Sequence, residues 1–329
     1  MQQLNSVFKA VLTLGGLGLA FGVLLAVASK VFHVEVDPKI TKIKNALPGA
    51  NCGACGYPGC DALAKAIAEG KEPANSCPVG GSETTKAVSS ILGVETGEDS
   101  GGRKVARVLC SGCDTISKKK FDYKGIEDCK AASMIQGGDK SCDKGCLGYG
   151  TCLEVCNFDA IRIEDGIAVI DPEKCTACGL CLEACPKDVI EWVPYEQEVV
   201  VDCKNQDFGK VVKDMCQVGC IGCGICEKSC PFDAIHVEDN IAKIDYDKCT
   251  GCMICTEKCP TNAISGELEK RKKAFIIAEK CIGCTICAKN CPVDCIDGKL
   301  KEVHVINQDD CIGCGVCFEK CPKDAIEMR

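Results

Sequence analysis

Aromatic side chains are scarce in this chain of 329 residues: one tryptophan, five tyrosines and nine phenylalanines. Large rings carry much of the core in most domains, so something else must hold this one together. Phosphate-cradling loops are missing as well. No G-x-G-x-x-G follows a strand and no P-loop occurs, so the sequence offers no nucleotide site. The three histidines, His33, His236 and His304, are scattered, and no Ser/His/Asp or Cys/His grouping stands clear of the cysteine runs. A net charge of −8 without a basic stripe interleaved with aromatics argues against nucleic acid. Only one long apolar run is present.

What the chain has instead is cysteine, 34 of them. They come in tight runs two and three residues apart. Thiolates so close suit one metal centre better than disulfides between distant segments. Structural zinc sites usually pair two C-x2-C knuckles across a longer gap, which makes zinc the weaker metal. The run Cys220, Cys223, Cys226, Cys230, followed by Pro231, is the C-x2-C-x2-C-x3-C-P signature of a [4Fe–4S] cluster. It returns at Cys249, Cys252, Cys255, Cys259; at Cys281, Cys284, Cys287, Cys291; at Cys311, Cys314, Cys317, Cys321; and at Cys175, Cys178, Cys181, Cys185. Folds of this kind are held by metal ligation and need few aromatics. Such oxygen-sensitive centres call for a reducing compartment.

The chain divides into six parts. Residues 10–29 carry no charge and lie between Lys9 and Lys30; a helix of that length, about 30 Å, crosses a bilayer core. A cleaved signal peptide is the rival reading, since Ala26-Val27-Ala28 resembles a cleavage site, but the run exceeds the usual h-region. Residues 1–32 are therefore taken as a membrane anchor. Lys30, Lys39, Lys42 and Lys44 follow the span and only Lys9 precedes it, which puts the C-terminal side in the cytoplasm. Gly18 and Gly22 form a G-x-x-x-G pair that permits close helix approach, or are simply common membrane-helix glycines. Residues 33–80 hold Asn51-Cys52-Gly53-Ala54-Cys55-Gly56-Tyr57-Pro58-Gly59-Cys60 and then Cys77. That spacing suits a membrane-proximal [4Fe–4S] site, with zinc as the alternative. Residues 81–104 read as a linker, interrupted by a short amphipathic helix near 84–92.

Three ferredoxin-like modules follow, at 105–200 with an insertion, 201–267 and 268–329. Asp159 to Ile170 and Asp233 to Ile244 repeat the same text around a Glu-Asp-Gly or Glu-Asp-Asn turn, the mark of a short hairpin. The expected fold class is α+β, with short hairpins and short helices after the anchor. In a two-cluster ferredoxin the last cysteine of each run ligates the other cluster. Cys220, Cys223, Cys226 and Cys259 then form one set, and Cys249, Cys252, Cys255 and Cys230 its neighbour. Cys281, Cys284, Cys287 and Cys321 form another, beside Cys311, Cys314, Cys317 and Cys291. The first module departs from the rule. Tyr149 stands where a ligand is expected, and Asn157 replaces the proline after Cys156. The nearest spare thiol is Cys142, which predicts Cys142, Cys146, Cys152 and Cys185 for one cluster and Cys175, Cys178, Cys181 and Cys156 for the other. A three-ligand or [3Fe–4S] site is the alternative. The count is about seven clusters, with one more or one [3Fe–4S] left open.

Cys110, Cys113, Cys129, Cys203, Cys216 and Cys295 are left over. Cys110 and Cys142 match Cys203 and Cys216 in the repeat; buried or partner-facing thiols are the plainer reading, an additional metal site the other. Cys295 occupies the slot of Ala160, Ala234 and Ala325, that of a small buried residue. Trp192 reads as packing. The basic runs at 118–120 and 270–273 either steer an acidic ferredoxin or are solvated turns.

The order of parts, an N-terminal span, the Asn51–Cys60 loop and a ferredoxin array, resembles the Rnf ion-translocating electron transport complex in its B component. The resemblance implies a subunit of a ferredoxin:NAD⁺ oxidoreductase in the cell membrane that couples electron flow to Na⁺ or H⁺ translocation. It implies partner subunits with flavin and NAD sites and an ion path, and soluble ferredoxin as donor or acceptor. By itself the chain would be a conduit without a substrate site. The competing reading is a membrane-tethered polyferredoxin that buffers electrons for a hydrogenase or another dehydrogenase.

Overall fold

The computed structural model describes residues 2–31, 37–94 and 102–329; His33 and positions 95–101 of the expected linker lie outside them. The first element is a helix of 30 residues, Gln2–Val31. Its segment Leu12–Lys30 has a mean hydropathy of 2.0, and nothing in the protein covers it. Leu14, Leu19 and Leu24 are each more than half exposed. An apolar surface on every side of a helix needs lipid or protein around it.

Three helices make the next unit: Pro38–Ala46, Cys60–Ala68 and Gly81–Leu92. Asp37 caps the first by accepting the Lys39 N–H at 2.8 Å, and Pro38 fits the first turn because its missing N–H would have no partner there. Ile43, Leu63, Ala64, Ile67 and Val88 close the core. Val88 is fully buried, so the helix at 81–92 belongs to this unit. The span expected as a linker at 81–104 is shorter than its composition implied, because one apolar stripe was enough to dock half of it.

The rest is a threefold repeat. In each module an outer antiparallel pair ties the two ends together: Lys104–Val108 with Ile190–Pro194, Val200–Val201 with Ile264–Ser265, and Ala274–Ile276 with Ile326–Met328. An inner hairpin lies between them: Ile161–Glu164 with Ile167–Ile170, Ile235–Glu238 with Ile241–Ile244, and Ile296–Asp297 with Val305–Ile306. The first two hairpins turn on Asp165-Gly166 and Asp239-Asn240. All four residues have positive φ, the demand of the two-residue turn that matches strand twist. Each module buries its β-branched residues against its own cysteines.

The modules are clipped to one another. Between the first and second, the Ser111 N–H donates to Asp202 O at 3.2 Å and the Lys118 N–H to Met215 O at 2.9 Å. Arg107 reaches Asp202 at 3.3 Å and the Ser265 hydroxyl at 2.7 Å. Between the second and third, Arg271 donates to Met253 O and to Glu257, both at 3.1 Å.

Candidate iron–sulfur sites

The cysteine loops bend where glycine allows it. Gly222 and Gly224 flank Cys223 with φ of 63° and 70°. A Cβ on Gly222 would stand 2.7 Å from Asn240 O, so the loop closes against the hairpin tip only without a side chain there. After the loop a single helical turn, Ile225–Ser229, turns the buried Cys226 inward. The last cysteine of a run receives a backbone N–H on its sulfur: Ala234 to Cys230 at 3.5 Å, Ala263 to Cys259 at 3.3 Å and Ala325 to Cys321 at 3.3 Å. Such N–H···S bonds stabilise thiolate ligands and tune cluster potential.

The thiols meet in groups drawn from both runs of a module. Cys249, Cys252, Cys255 and Cys230 line a hollow of about 340 Å³. Cys281, Cys284, Cys287 and Cys321 line another of about 360 Å³. The thiols that oppose ionisation of Cys226 by their charge are Cys220, Cys223 and Cys259. Around Cys317 they are Cys314, Cys311 and Cys291, and around Cys181 they are Cys178, Cys175 and Cys156. Around Cys77, whose sulfur also takes the N–H groups of Gly80 and Val79, they are Cys60 and Cys55. Cys52 lies within electrostatic reach of Cys178 in the first module. Burial pushes Cys181, Cys255 and Cys317 up to about 12 and Cys226 to about 11. These thiols stay protonated at neutral pH until a metal displaces the proton.

The donor sets fit a polynuclear cluster better than a single ion. Among the described residues, no three Cys, His, Asp or Glu side chains converge tightly enough to hold one metal ion, as a tetrahedral zinc site requires. His304 gives an independent test. It is buried on the wall of the hollow with Cys281, Cys284, Cys287 and Cys321. Its Nδ1 meets Glu302 O at 3.0 Å while its Nε2 has no partner. A sulfur-rich group in that hollow would give this nitrogen something to bond.

In the first module, Cys142 does not stand with Cys146, Cys152 and Cys185. The Gly145 N–H bonds Cys142 O at 3.0 Å, and this tight turn separates the two thiols. The Cys142 sulfur instead takes the Asn205 Nδ2–H at 3.1 Å. Cys129 fills the gap. The thiols whose charge acts on Cys152 are Cys146, Cys129, Cys185 and Cys181. Cys129 comes from the insertion, on the short helix Cys129–Ser133 capped by Asp128, and the Thr151 hydroxyl accepts its N–H at 2.7 Å. Tyr149 packs on Tyr123 with ring centroids 5.2 Å apart, and burial with the charge of Asp139 keeps its phenol protonated. The lone signal in the sequence was an unassigned cysteine about twenty residues ahead of Tyr149.

Other expectations resolve more simply. His236 sits on its strand beside Glu227 at 3.3 Å and the Asp233 carbonyl at 3.2 Å. Trp192 is part of the outer strand opposite Ala106. Cys295 is buried with its sulfur 3.5 Å from that of Cys291. Cys113 meets the Thr115 hydroxyl at 3.2 Å. The basic runs are mostly engaged: Lys119 with Asp114 at 3.0 Å, Lys120 with Asp143 at 3.1 Å, Lys270 with Glu267 at 2.6 Å, and Lys273 with Gln308 O.

Comparison with known proteins accords with this arrangement. Residues 47–79 match a family described as "Putative Fe-S cluster". Residues 168–191 match a 4Fe-4S binding domain, and 219–263, 248–295 and 274–328 match 4Fe-4S dicluster domains. The chain is 54% identical, over 84% of its length and 83% of the relative's, to RnfB of Acetobacterium woodii, the B component of a Na⁺-translocating ferredoxin:NAD⁺ oxidoreductase complex. It belongs to the RnfB family. Identity is 45% to the corresponding component of an ion-translocating oxidoreductase complex of Methanosarcina acetivorans, over 73% of this chain and 90% of that one. It is 40% to the counterpart in a proton-translocating ferredoxin:NAD⁺ oxidoreductase complex of Clostridium ljungdahlii, over 74% and 85%. As a member of the RnfB family, the chain is an iron–sulfur electron-transfer subunit of a membrane complex.

Proposed function

We propose that this chain carries electrons between soluble ferredoxin and the membrane-embedded subunits of a complex that reduces NAD⁺ and moves Na⁺ or H⁺. One observation carries the reading: the thiol groups succeed one another without a wide gap within each module and across most of the seams. Cys52 reaches Cys178, and Cys181 acts on Cys152. Farther along, Cys226 acts on Cys255, and Cys252 on Cys314. Bound [4Fe–4S] clusters supply one-electron transfer, and the protein supplies ligands, N–H···S bonds and exclusion of water.

The ligand sets of the regular modules are those whose thiols share a hollow or a charge neighbourhood. Cys52, Cys55, Cys60 and Cys77 hold the cluster beside the membrane. Cys129, Cys146, Cys152 and Cys185 hold the irregular one. The helix Gln2–Val31 crosses the membrane once, with the cluster-bearing part on the cytoplasmic side, where the exposed Lys39, Lys42 and Lys44 meet anionic lipid. The flavin and NAD sites belong to partner subunits, and the chain alone is a conduit.

The test is ferredoxin-dependent NAD⁺ reduction in membranes carrying the whole complex. Cys52→Ala should abolish turnover while dithionite still reduces the clusters of the three modules. Turnover near that of the parent would remove the membrane-proximal cluster from the path.

A further inference from the structure

Four cysteines that no cluster run claims meet at the seam between the first and second modules. Cys110, Cys142, Cys203 and Cys216 line one hollow of about 450 Å³. Hollows of about 340 and 360 Å³ surround two of the regular cysteine sets. The four come in pairs from matching places. Cys110 and Cys203 each follow the first outer strand of a module, Lys104–Val108 and Val200–Val201. Cys142 and Cys216 each stand four residues before the first cysteine of a run, Cys146 and Cys220.

The surroundings of these sulfurs resemble those of the cluster ligands. The Cys146 N–H donates to Cys110 Sγ at 3.4 Å, and the Cys220 N–H bonds Cys203 in the matching place. Cys216 takes N–H groups from Val218 and Gly219, and Cys142 takes Asn205. Gly112 leaves space at the rim, where a Cβ would stand 3.3 Å from Cys216 Sγ and 3.7 Å from Cys110 Sγ. One buried cation faces the group: Lys140 lines the hollow and is 1% exposed. Its ammonium donates to Gly112 O at 2.9 Å and to Gly166 O at 2.8 Å. Four thiolates outweigh the positive charge of the core they bind, so the whole group is anionic, and a fixed ammonium beside it lowers the cost of burying that charge.

We infer that Cys110, Cys142, Cys203 and Cys216 hold an additional [4Fe–4S] cluster that joins the first module to the second. A single zinc ion is the poorer occupant, since no three of these side chains converge tightly enough for one ion. The placement has a functional consequence. The N–H of Cys146 touches one end of the group and the N–H of Cys220 the other, so the cluster lies between the site of Cys146 and the site of Cys220. It supplies the relay at the one seam where the regular sets leave a step. The chain then carries eight clusters in one row, and Cys113 and Cys295 alone stay outside.

The inference rests on the reading of the chain as a cluster wire, and the experiment separates the two. Iron, acid-labile sulfide and zinc are measured on the full chain purified anaerobically, with Mössbauer spectroscopy to assign the iron. Eight cubanes give about 32 irons, seven about 28. Cys203→Ser should lose about one-eighth of the iron, while Cys113→Ser and Cys295→Ser should lose none. The parent count does not depend on any variant folding. A parent with about 28 irons, or one with a zinc ion lost on Cys203→Ser, overturns the inference and leaves the wire intact. A parent with little iron overturns both.

Discussion

The first and second modules fold the same backbone and complete it with different chemistry. Gly148-Tyr149-Gly150 and Gly222-Cys223-Gly224 share one conformation, both glycines left-handed, with φ of 75° and 82° in the first and 63° and 70° in the second. In both, the leading glycine presses on the hairpin tip, at Gly166 O and Asn240 O. Only the side chain between them differs. Where the second module offers a thiol, the first offers a phenol turned away onto Tyr123, and the insertion returns a thiol through Cys129. Ligation in this fold is therefore decided by which sulfur reaches the hollow, and the spacing along the chain is only one way of bringing it there. The same insertion buries Lys140 and places Cys110 and Cys142 at the seam, so the irregular module is also the one that can join its neighbour.

The largest effect should come from exchanging the two solutions. Cys129→Ala should cost about four irons, or leave a [3Fe–4S] signal in the EPR spectrum of the oxidised protein. Adding Tyr149→Cys should restore the cubane, because the backbone there already has the ligand-bearing shape. Unchanged iron in Cys129→Ala would end the equivalence of the two modules. Leu147→Ala comes next. Leu147 is 4% exposed and packs with Cys129 and Ala132, so truncation should destabilise by about 2–5 kcal/mol. Its counterpart Ile221 is only partly buried, and Ile221→Ala should cost about half as much. Thermal unfolding of the loaded chain would sharpen or erase that contrast.

Lys140→Met probes the asymmetry of charge. Loss of the ammonium should lower the midpoint potential of one cluster in an EPR redox titration. It also leaves Gly112 O and Gly166 O without their donor, at about 1–3 kcal/mol for each such group. A titration identical to that of the parent would mean that Lys140 faces no cluster. The smallest effect is expected at Lys272, the exposed member of a run whose other side chains are engaged. Lys272→Glu should change the ferredoxin on-rate at low salt by less than about threefold, as one rim charge does when it acts alone. A larger change would make the third module a docking surface for ferredoxin.

Much of this was legible in the chain. The Glu-Asp-Gly and Glu-Asp-Asn turns announced hairpins because only a few residues accept positive φ at both turn positions. The twenty uncharged residues before Lys30 announced a helix that could cross a bilayer, because length and polarity alone set that requirement. Cysteine runs named iron–sulfur chemistry because no other group needs thiolates at that spacing. The company of Cys142 was not legible. It stands four residues before Cys146, and nearness in sequence made it the natural fourth ligand. One backbone turn, Gly145 N–H to Cys142 O, sends its sulfur across a module boundary. The fate of residues 81–92 was hidden in the same way: their polar composition resembles a linker, and Val88 alone anchors them.

The sequence by itself determined the kind of cofactor, the number of modules, the anchor and the family, since each follows from local spacing or composition. Tertiary structure decided which thiols share a hollow. It brought Cys129 to the place that Tyr149 vacates and gathered Cys110, Cys142, Cys203 and Cys216 from two modules. The physical reason is that a cluster is bound by the convergence of sulfurs in space. When those sulfurs come from segments as far apart as Cys110 and Cys216, only the packing of the modules can bring them together.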